Sequence, residues 1–392
     1  MAREAVLRFR HDVIEGSPYE AGRWQGEAMS GNDWRWAFTQ GPPDITYLAA
    51  DEGKKALAIV ERYCPGVADE IQGASDATAI PIEKMTFLGS CRAVDGRRTP
   101  TLWDDAAAGA HASAGACSHF YLPRNLNPDG HIRLGCNLDN SPMMQELRLC
   151  TTRIAGKPAH ISFSDCVFGR FEGLNEYGFG FTSSLGCPWA QMHMAASGLP
   201  ASMVGRILLD RCASVPEALD TLAGLPIAAY SNLILADRSG DRALAEIACS
   251  RRAVRRLGRG DAQALFATNH YVLPEMDEYA PLRLAQSVRR YGFLEAELGR
   301  SAAPIARPHD LLGPPYPEGL RVPYYDDGLG TLESMVLDLD TLTADVSFGP
   351  PSLNPWHRFD LSSPKGSTLY NARILVEPAP EGLWDAAAPE AS

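Results

Sequence analysis

A change of sequence pattern at residue 117 divides this chain into two parts. Residues 94–115 contain Asp-Gly, Asp-Asp and many alanines and glycines, and they show neither a helical nor a strand period. The pattern predicts a flexible loop that runs directly into Cys117. Short apolar segments typical of strands follow at Ser118–Leu122 and His131–Leu138, separated by a turn that contains Asp-Gly. The second part therefore begins as a sheet at the cysteine.

Periodicity in the rest of the chain predicts further strands and helices. The predicted helices follow Pro18 and then cover 56–63, a turn from 67 to 71, 81–88, 203–213, 216–224 and 282–298. The predicted strands cover 5–14, 158–165, 177–185, 230–237, 242–248, 253–257, 263–268 and two segments within 331–348. Residues 376–392 are rich in proline, alanine and acids and are expected to fray. Runs of strands, then helices, then strands favour an α+β fold with layered antiparallel sheets.

The charge balance excludes several classes of partner. The chain carries 48 acidic and 36 basic residues among 392, a formal net charge of −12. A nucleic-acid partner is not expected, because a nucleic-acid surface needs a basic footprint. Charges interrupt the apolar residues at the N-terminus, and no run approaches the ~18 apolar residues of a membrane span. We therefore expect a cytoplasmic protein without a membrane partner.

The nine cysteines are scattered and form no Cys-X-X-Cys pair. In a cytosolic chain most of them should be reduced and buried. No metal site is expected, because zinc ligands usually include short spacings. One cysteine remains a candidate nucleophile, which the spacing alone does not identify.

Four short signatures occur in a fixed order. They are Gly-Ser-Pro-Tyr-Glu-Ala-Gly at 16–22, Gly-Ala-Cys-Ser at 115–118 followed by Asn-Leu-Asp at 137–139, Glu-Gly-Leu-Asn-Glu-Tyr-Gly at 172–178, and Ala-Thr-Asn-His at 267–270. Together they resemble the acyl-coenzyme A:6-aminopenicillanate acyltransferase-like family. The family is similar to the bile-salt and penicillin V amidases, which are cysteine N-terminal-nucleophile (Ntn) hydrolases. The resemblance extends over roughly residues 10–350.

The resemblance implies a four-layer αββα sandwich and a precursor that cleaves its own backbone between Ala116 and Cys117. Residues 1–116 would form a pro-segment or α-chain and residues 117–392 the catalytic β-chain, both within one compact domain. The new α-amine of Cys117 would act as the base. An α-amine has a reference pKa of about 7.7–8.0, so it can accept the thiol proton near neutral pH without a histidine.

The resemblance also implies roles for individual residues. Cys117 matches the nucleophile, Asp139 the aspartate that holds the α-amine, and Asn269 an asparagine of the oxyanion hole. Asn175 matches a second contact near the acyl oxygen. Arg283 matches an arginine near the nucleophile, with Arg289 and Arg290 as competing matches.

Each of these residues also has a simpler interpretation. Cys117 is one of nine cysteines, Asp139 a strand-end residue, Asn269 a strand cap, and Asn175 a turn residue, since asparagine tolerates the left-handed conformation. His270 suggests a Cys-His dyad, although a structural histidine is favoured because the α-amine already serves as base. His119 lies on the same strand face as Cys117 and is a candidate for lining the site.

Some positions depart from the family pattern. Cys136 stands where bile-salt hydrolases often have arginine, and it adds a second thiol near the predicted site. Ser183 stands where relatives often have asparagine. The segment 328–332 replaces the Ser-Arg pair of the penicillin acyltransferase. These differences argue against assigning any of those substrates to this chain.

The predicted activity is hydrolysis or exchange of a small acylated amine or amino acid through a thioester. No cofactor is expected, although an acyl-coenzyme A is a conceivable acyl donor. Two alternatives stay open: a Cys-His thiol hydrolase that is not cleaved, and a catalytically silent binding protein with the Ntn fold. The oligomeric state is also open, with a homodimer among the options.

Overall fold

The computed structural model describes residues 2–30, 50–83, 85–86, 93–94, 97–98, 116–142, 147–164, 167–186, 198–299 and 304–387. Most of the loop predicted over residues 94–115 lies outside these ranges. The helices are α1 (Pro18–Ser30), α2 (Ala50–Tyr63), α3 (Val67–Thr78), α4 (Ala201–Arg211), α5 (Val215–Gly224) and α6 (Ala285–Leu298). No helix of the described part is long and apolar enough to cross a membrane.

Strands dominate the chain after residue 117. In order they are β1 (Arg3–Gly16), β2 (Ala93–Val94), β3 (Arg97–Arg98), β4 (Ser118–Leu122), β5 (Arg133–Asn140), β6 (Arg148–Ile154), β7 (His160–Ser164), β8 (Gly173–Asn175), β9 (Phe179–Leu185), β10 (Tyr230–Asp237), β11 (Arg242–Ala248), β12 (Arg251–Leu257), β13 (Leu265–Ala267), β14 (Pro323–Tyr324), β15 (Leu329–Asp338), β16 (Thr343–Phe348), β17 (His357–Asp360) and β18 (Thr368–Val376). The predicted α+β class is confirmed.

Two large sheets organise these strands. The nine-stranded sheet has the order β12-β11-β10-β9-β8-β7-β6-β1-β18, and the seven-stranded sheet follows β13-β4-β5-β15-β16-β17 with β14 paired to β15. Neighbours pair antiparallel throughout, apart from the parallel pair β1–β6. The predicted layered antiparallel sheets are therefore present.

Three apolar cores separate four layers. One core joins α2, α3, α4 and α5 to the nine-stranded sheet, through residues such as Ile71, Leu208 and Leu235. A second core lies between the two sheets, and a third joins α6 to the seven-stranded sheet through Leu294 and Leu298. Helices thus cover the outer face of each sheet, in the order α, β, β, α.

Close packing of α1 against α3 depends on glycine. A Cβ atom on Gly22 would lie 1.8 Å from the carbonyl oxygen of Glu70, and one on Gly73 would lie 2.1 Å from the carbonyl oxygen of Tyr19. The two helix backbones can approach this closely only because both residues lack a side chain. The glycines of the first signature therefore shape helix packing.

Strand register brings the second and the fourth sequence signature, at 115–118 with 137–139 and at 267–270, to one end of the seven-stranded sheet. β4 pairs with β5, with His119 opposite Cys136, and with β13, with Ala267 opposite His119. The Ala116 N–H donates to the Asp139 carbonyl oxygen at 3.1 Å and extends the β4–β5 pairing by one more bond. The Ala116–Cys117 peptide bond therefore lies beside Asp139, and Asn269 follows the neighbouring strand.

Candidate active site

Cys117 occupies the residue directly before β4, where the chain enters the sheet. Ala116 is buried and Cys117 is partly exposed. Burial, together with the charges of Asp139 and Glu172, raises the pKa of the Cys117 thiol to about 12, while the Asp139 backbone N–H and Arg290 act in the opposite direction. The thiol of the intact chain is therefore protonated, and it needs a base before it can attack a carbonyl.

Arg290 is the cation that contacts this peptide bond. It projects from α6 and is fully buried. Its Nη1 donates to the Ala116 carbonyl oxygen at 2.6 Å, to the Cys117 carbonyl oxygen at 2.7 Å and to Ser118 Oγ at 2.8 Å. A charged donor at this distance polarises the Ala116 carbonyl and favours a negative charge on its oxygen.

Asp139 has one carboxylate oxygen that is satisfied and one that is not. Oδ1 accepts a hydrogen bond from Thr331 Oγ1 at 2.6 Å, whereas Oδ2 is buried with no hydrogen-bond partner among the described residues. Burial raises the pKa of Asp139 to about 7, with Arg290 and Thr331 opposing the rise. A buried carboxyl with a vacant acceptor and a pKa near neutrality can take up or hold a proton.

Asn269 is connected to the site through Arg290. Its Oδ1 accepts from Arg290 Nη2 at 3.0 Å, and its Nδ2 donates to the Leu185 carbonyl oxygen at 3.1 Å. The orientation of the amide follows from these two partners. Asn269 is thus brought together with Ala116, Cys117 and Asp139.

Neither candidate histidine is arranged as a base for Cys117. His119 contacts Thr182 Oγ1 through Nδ1 at 3.0 Å and Ser184 Oγ through Nε2 at 3.1 Å, which joins β4 to β9. His270 Nδ1 contacts Ser287 Oγ at 2.8 Å. Burial lowers the pKa of both imidazoles to about 3. Both rings are neutral and structural, and His119 lies on the Cys117 side of the seven-stranded sheet.

The structure does not bring Asn175 to the site. Its Nδ2 donates to the carbonyl oxygens of Leu209 and Cys212, at 3.0 Å and 2.8 Å, at the end of α4. Its Oδ1 accepts from the backbone amides of Tyr177 and Phe179. Backbone groups therefore use both ends of the amide, so Asn175 holds α4 against the nine-stranded sheet.

Arg283 is also placed away from Cys117. It lies before α6 begins, is partly exposed, and pairs with Asp277 at 2.8 Å. Arg290, one of the two competing matches, contacts the peptide bond instead. A periodic signal marks it: Gln286, Arg290, Leu294 and Leu298 recur every four residues and are all buried. An arginine on the buried face of a helix needs hydrogen-bond acceptors in the protein interior, which favours Arg290 as the arginine at the site. Arg283, which precedes the helix, can reach solvent and does not need them.

Cys136 belongs to a second group of side chains that the sequence did not reveal. Its thiol lies with one carboxylate oxygen each of Glu172 and Glu333, all within 4.8 Å of one another, and the three residues are buried. Glu172 precedes β8, while Cys136 and Glu333 lie on β5 and β15. Their distance along the chain hid this group from motif analysis.

Comparisons with known proteins agree with the resemblance found in the sequence. Residues 126–353, more than half of the chain, match the family model of acyl-coenzyme A:6-aminopenicillanic acid acyl-transferase. The matched segment includes Asp139, Asn269 and Arg290 and begins after Cys117. No curated protein gave a significant match.

Several solved structures are similar in part. Penicillin V acylase from Agrobacterium tumefaciens has 19% identity and a TM-score of 0.38, covering 65% of this chain and 90% of that one. A variant of conjugated bile acid hydrolase from Clostridium perfringens has 12% identity and a TM-score of 0.42, covering 65% and 96%. An N-acylethanolamine-hydrolyzing acid amidase ortholog from Caenorhabditis elegans has 14% identity and a TM-score of 0.40, covering 57% and 93%.

Proposed function

Because this chain belongs to the acyl-coenzyme A:6-aminopenicillanic acid acyl-transferase family, we propose that it is a self-cleaving N-terminal-cysteine amide hydrolase or acyltransferase. Its substrate would be a small acylated amine or amino acid. The observation that carries the proposal is the contact of Arg290 Nη1 with the carbonyl oxygens of Ala116 and Cys117, at 2.6 Å and 2.7 Å. The fully buried Arg290 thus contacts the carbonyl oxygen of the peptide bond that self-cleavage would break.

The first step would convert the Ala116–Cys117 peptide bond into a thioester. Cys117 Sγ attacks the Ala116 carbonyl carbon, and its proton passes to a nearby base. Asp139 suits this task, since it has a vacant buried oxygen and a pKa of about 7. The C–N bond then breaks, and the nitrogen leaves as the α-amine of Cys117 after taking back the proton that the base had accepted from the thiol. Water hydrolyses the thioester and releases two chains, 1–116 and 117–392.

Arg290 would supply most of the electrostatic help in that step. The oxygen of the Ala116 carbonyl becomes negative in the tetrahedral intermediate, and the guanidinium already donates to it. A donor held in place before the reaction stabilises the oxyanion without reorganisation, and removing one such donor elsewhere costs about 2.7–4 kcal/mol of barrier.

The mature enzyme would use the same groups for its substrate. The α-amine of Cys117 takes the thiol proton, and the vacant Oδ2 of Asp139 accepts a hydrogen bond from that amine. The substrate acyl group moves to sulfur, and Asn269 is a candidate donor to the acyl oxygen. Water completes a hydrolysis and an amine completes an acyl transfer. The Cys117 thiol forms and breaks the acyl bond, and its α-amine carries the proton, so the reaction needs no cofactor. An acyl-coenzyme A would take part only as one of the substrates, as an acyl donor.

The uncleaved Cys-His hydrolase has no support from contacts at the site. His119 bonds to two hydroxyl groups, and His270 bonds to Ser287. A neutral imidazole that already contacts hydroxyl groups in this way is not poised to take a proton from Cys117. The alternative of a catalytically silent binding protein is distinguished from an enzyme by the experiment below.

The test is the intact mass of the purified protein. Wild type should give two fragments that divide at Ala116–Cys117, and Cys117→Ala should stay whole. Cys150→Ala is the matched control: it removes a buried thiol that packs with Ile14 and Ala21, and it should be cleaved like wild type. A single full-length wild-type species after long incubation would contradict self-activation and would favour the silent binding protein.

A further inference from the structure

The Cys136 group is unusual because it collects negative charge in the apolar space between the sheets. Cys136, Glu172 and Glu333 have exposures of 2%, 2% and 0%, and their ligand atoms lie within 4.8 Å of one another. Met335 pairs with Cys136 and Glu333 with Leu138, so register places Cys136 and Glu333 on the same face of the sheet. Two carboxyl groups and a thiol thus converge on one point.

Glu333 is the residue of this group that lacks hydrogen-bond donors. Its side chain is fully buried, and among the described residues its polar neighbour is the Glu172 carboxyl, which can bond to it only by sharing a proton, while no N–H or hydroxyl group donates to its two oxygens. A buried carboxylate without a donor is costly, so such a group usually coordinates a cation or keeps a proton. Burial and Glu172 raise the pKa of Glu333 well above its usual value. A bound cation would supply the opposite charge that the two carboxyl groups lack.

We propose that Cys136, Glu172 and Glu333 form a divalent-cation site, with zinc as the preferred ion. One sulfur and two oxygen ligands suit a borderline-soft ion better than Mg²⁺ or Ca²⁺, which take oxygen ligands only. Zn–S of about 2.3 Å and Zn–O of about 2.0 Å place tetrahedral ligand atoms roughly 3.5 Å apart. The three ligand atoms already lie within 4.8 Å of one another, which is close to that spacing.

Three protein ligands leave the fourth position of a tetrahedral ion open. Binding would release the thiol proton of Cys136 and any proton held by the carboxyl pair. The expectation of no zinc site came from the lack of short ligand spacings. That argument does not apply here, because the ligands come from three separate segments.

A second group in the same protein serves as a built-in control. Asp129, His131 and Asp338 also bring their ligand atoms within 4.8 Å. Arg133 pairs with Asp129 and donates to Asp338 at 3.0 Å, so a cation already neutralises these carboxylates. We expect no tight zinc binding at this group.

The experiment measures zinc bound per chain after equilibrium dialysis and elemental analysis. It uses the full chain carrying Cys117→Ala, which cannot process, so the result is independent of self-cleavage. That chain should bind one zinc. Adding Glu333→Gln or Cys136→Ser should weaken binding at least about 100-fold, because loss of a supporting partner alone weakens sites by 10- to 100-fold. His131→Gln should leave binding unchanged.

Cobalt(II) provides a second readout that a folding defect does not imitate. A cobalt–thiolate charge-transfer absorption should appear in the Cys117→Ala chain and vanish on adding Cys136→Ser. Equal zinc binding with and without Glu333→Gln, or no binding at all, would overturn the proposal. In the second case the two glutamates share a proton and hold no metal. Failure of wild-type self-cleavage would overturn the proposed function without touching this site.

Discussion

Two buried groups of charges in this protein are organised in opposite ways. In the α4 cluster, formed by Glu70, Lys157, Arg206 and Asp210, every charge meets an opposite one. Arg206 pairs with Glu70 and with Asp210, each at 2.8 Å, and Lys157 reaches Asp210 at 2.8 Å. At the Cys117 site, formed by Cys117, Asp139, Asn269 and Arg290, the arginine instead faces carbonyl and amide oxygens.

The pKa values follow this difference. Burial alone would raise the pKa of Glu70 and of Asp210, but the surrounding cations and hydrogen-bond donors, with Arg206 the largest contributor among them, together outweigh it and both pKa values are lowered. At Asp139 burial outweighs Arg290, and the pKa is raised to about 7. Fully paired charges hold helices and sheet together. A buried carboxyl group with one unpartnered oxygen can still exchange a proton. This capacity does not stabilise the fold, so it points to a catalytic role.

Arg206→Met should cause the largest loss of stability. It leaves Glu70 and Asp210 buried without their main partner, and breaking a buried pair this way costs about 3–5 kcal/mol. Denaturant unfolding of the Cys117→Ala chain measures the free energy. Arg211→Met, at the exposed end of α4, should change it by less than about 0.5 kcal/mol. Equal effects of the two substitutions would remove the contrast between the clusters.

At the Cys117 site, Asp139→Asn should increase the stability of the fold, whereas Arg206→Met decreases it. The folded state raises the pKa of Asp139 from 3.8 to about 7. Between these values the folded chain keeps a proton that the unfolded chain releases, so stability falls as pH rises. Asparagine removes that loss, which amounts to roughly 4 kcal/mol once the pH exceeds both pKa values.

Unfolding of the Cys117→Ala chain, with and without Asp139→Asn, tests this between pH 4 and pH 8. The stability gained from asparagine should grow through this range and level off above about pH 7. The same substitution in the self-cleaving chain should stop processing. A variant that is less stable than its parent at pH 8 would show that Asp139 is a structural carboxylate.

Arg290→Lys should slow self-cleavage by about 10²- to 10³-fold, or roughly 2.7–4 kcal/mol of barrier. Lysine keeps the charge but has a single nitrogen, so it cannot serve the Ala116 and Cys117 carbonyls, which Nη1 contacts, and Asn269, which Nη2 contacts, at the same time. The fraction of intact chain followed over time gives the rate. Arg289→Lys changes the exposed neighbour on α6 and should leave the rate unchanged. A normal rate for Arg290→Lys would show that charge alone suffices.

The two asparagines should separate stability from activity. Asn175→Ala removes hydrogen bonds to two carbonyl groups at the α4 end and to two backbone amides of the turn after β8, and it should cost about 2–3 kcal/mol of stability. Its processed fraction should match wild type at a temperature where it is folded. Asn269→Ala also loses buried hydrogen bonds and should cost about 1–3 kcal/mol of stability, but unlike Asn175→Ala it should cleave and acylate more slowly even at a temperature where it is folded. If Asn175→Ala cleaved slowly while folded and Asn269→Ala cleaved at the wild-type rate, Asn175 would be the asparagine that acts at the site.

The fold was largely predictable because alternation and helical periodicity report burial directly. The predicted helix over 216–224 is α5 (Val215–Gly224), and the predicted strand over 242–248 is β11 (Arg242–Ala248). The sequence missed β6, where Arg148 interrupts the apolar pattern. That charge is accommodated because Asp12 and Gln25 reach it from β1 and α1 and the Val167 carbonyl oxygen accepts a further hydrogen bond. Such partners are distant in sequence, so no local pattern contains them.

The site was predictable only in part, for the same reason. Cys117 and Asp139 lie on paired strands, and a motif on each strand locates them. Asn175 was misplaced because a Gly-Leu-Asn-Glu turn looks the same whether its amide serves a substrate or the end of α4. Glu333 and its vacant oxygens went unnoticed, since whether a donor reaches a carboxylate is decided by packing between layers.

Arg283→Ala tests whether packing, rather than the sequence match, identifies the arginine at the site, and its expected effect is small. The sequence match placed Arg283 at the nucleophile, whereas its side chain is partly exposed and pairs with Asp277. A pair of this kind contributes about 0–1 kcal/mol. Self-cleavage should therefore proceed at the wild-type rate, and the unfolding midpoint should barely move. A folded Arg283→Ala chain that fails to cleave would assign the catalytic contact to Arg283, and Arg290 would then be only a buried cation that secures the start of β4.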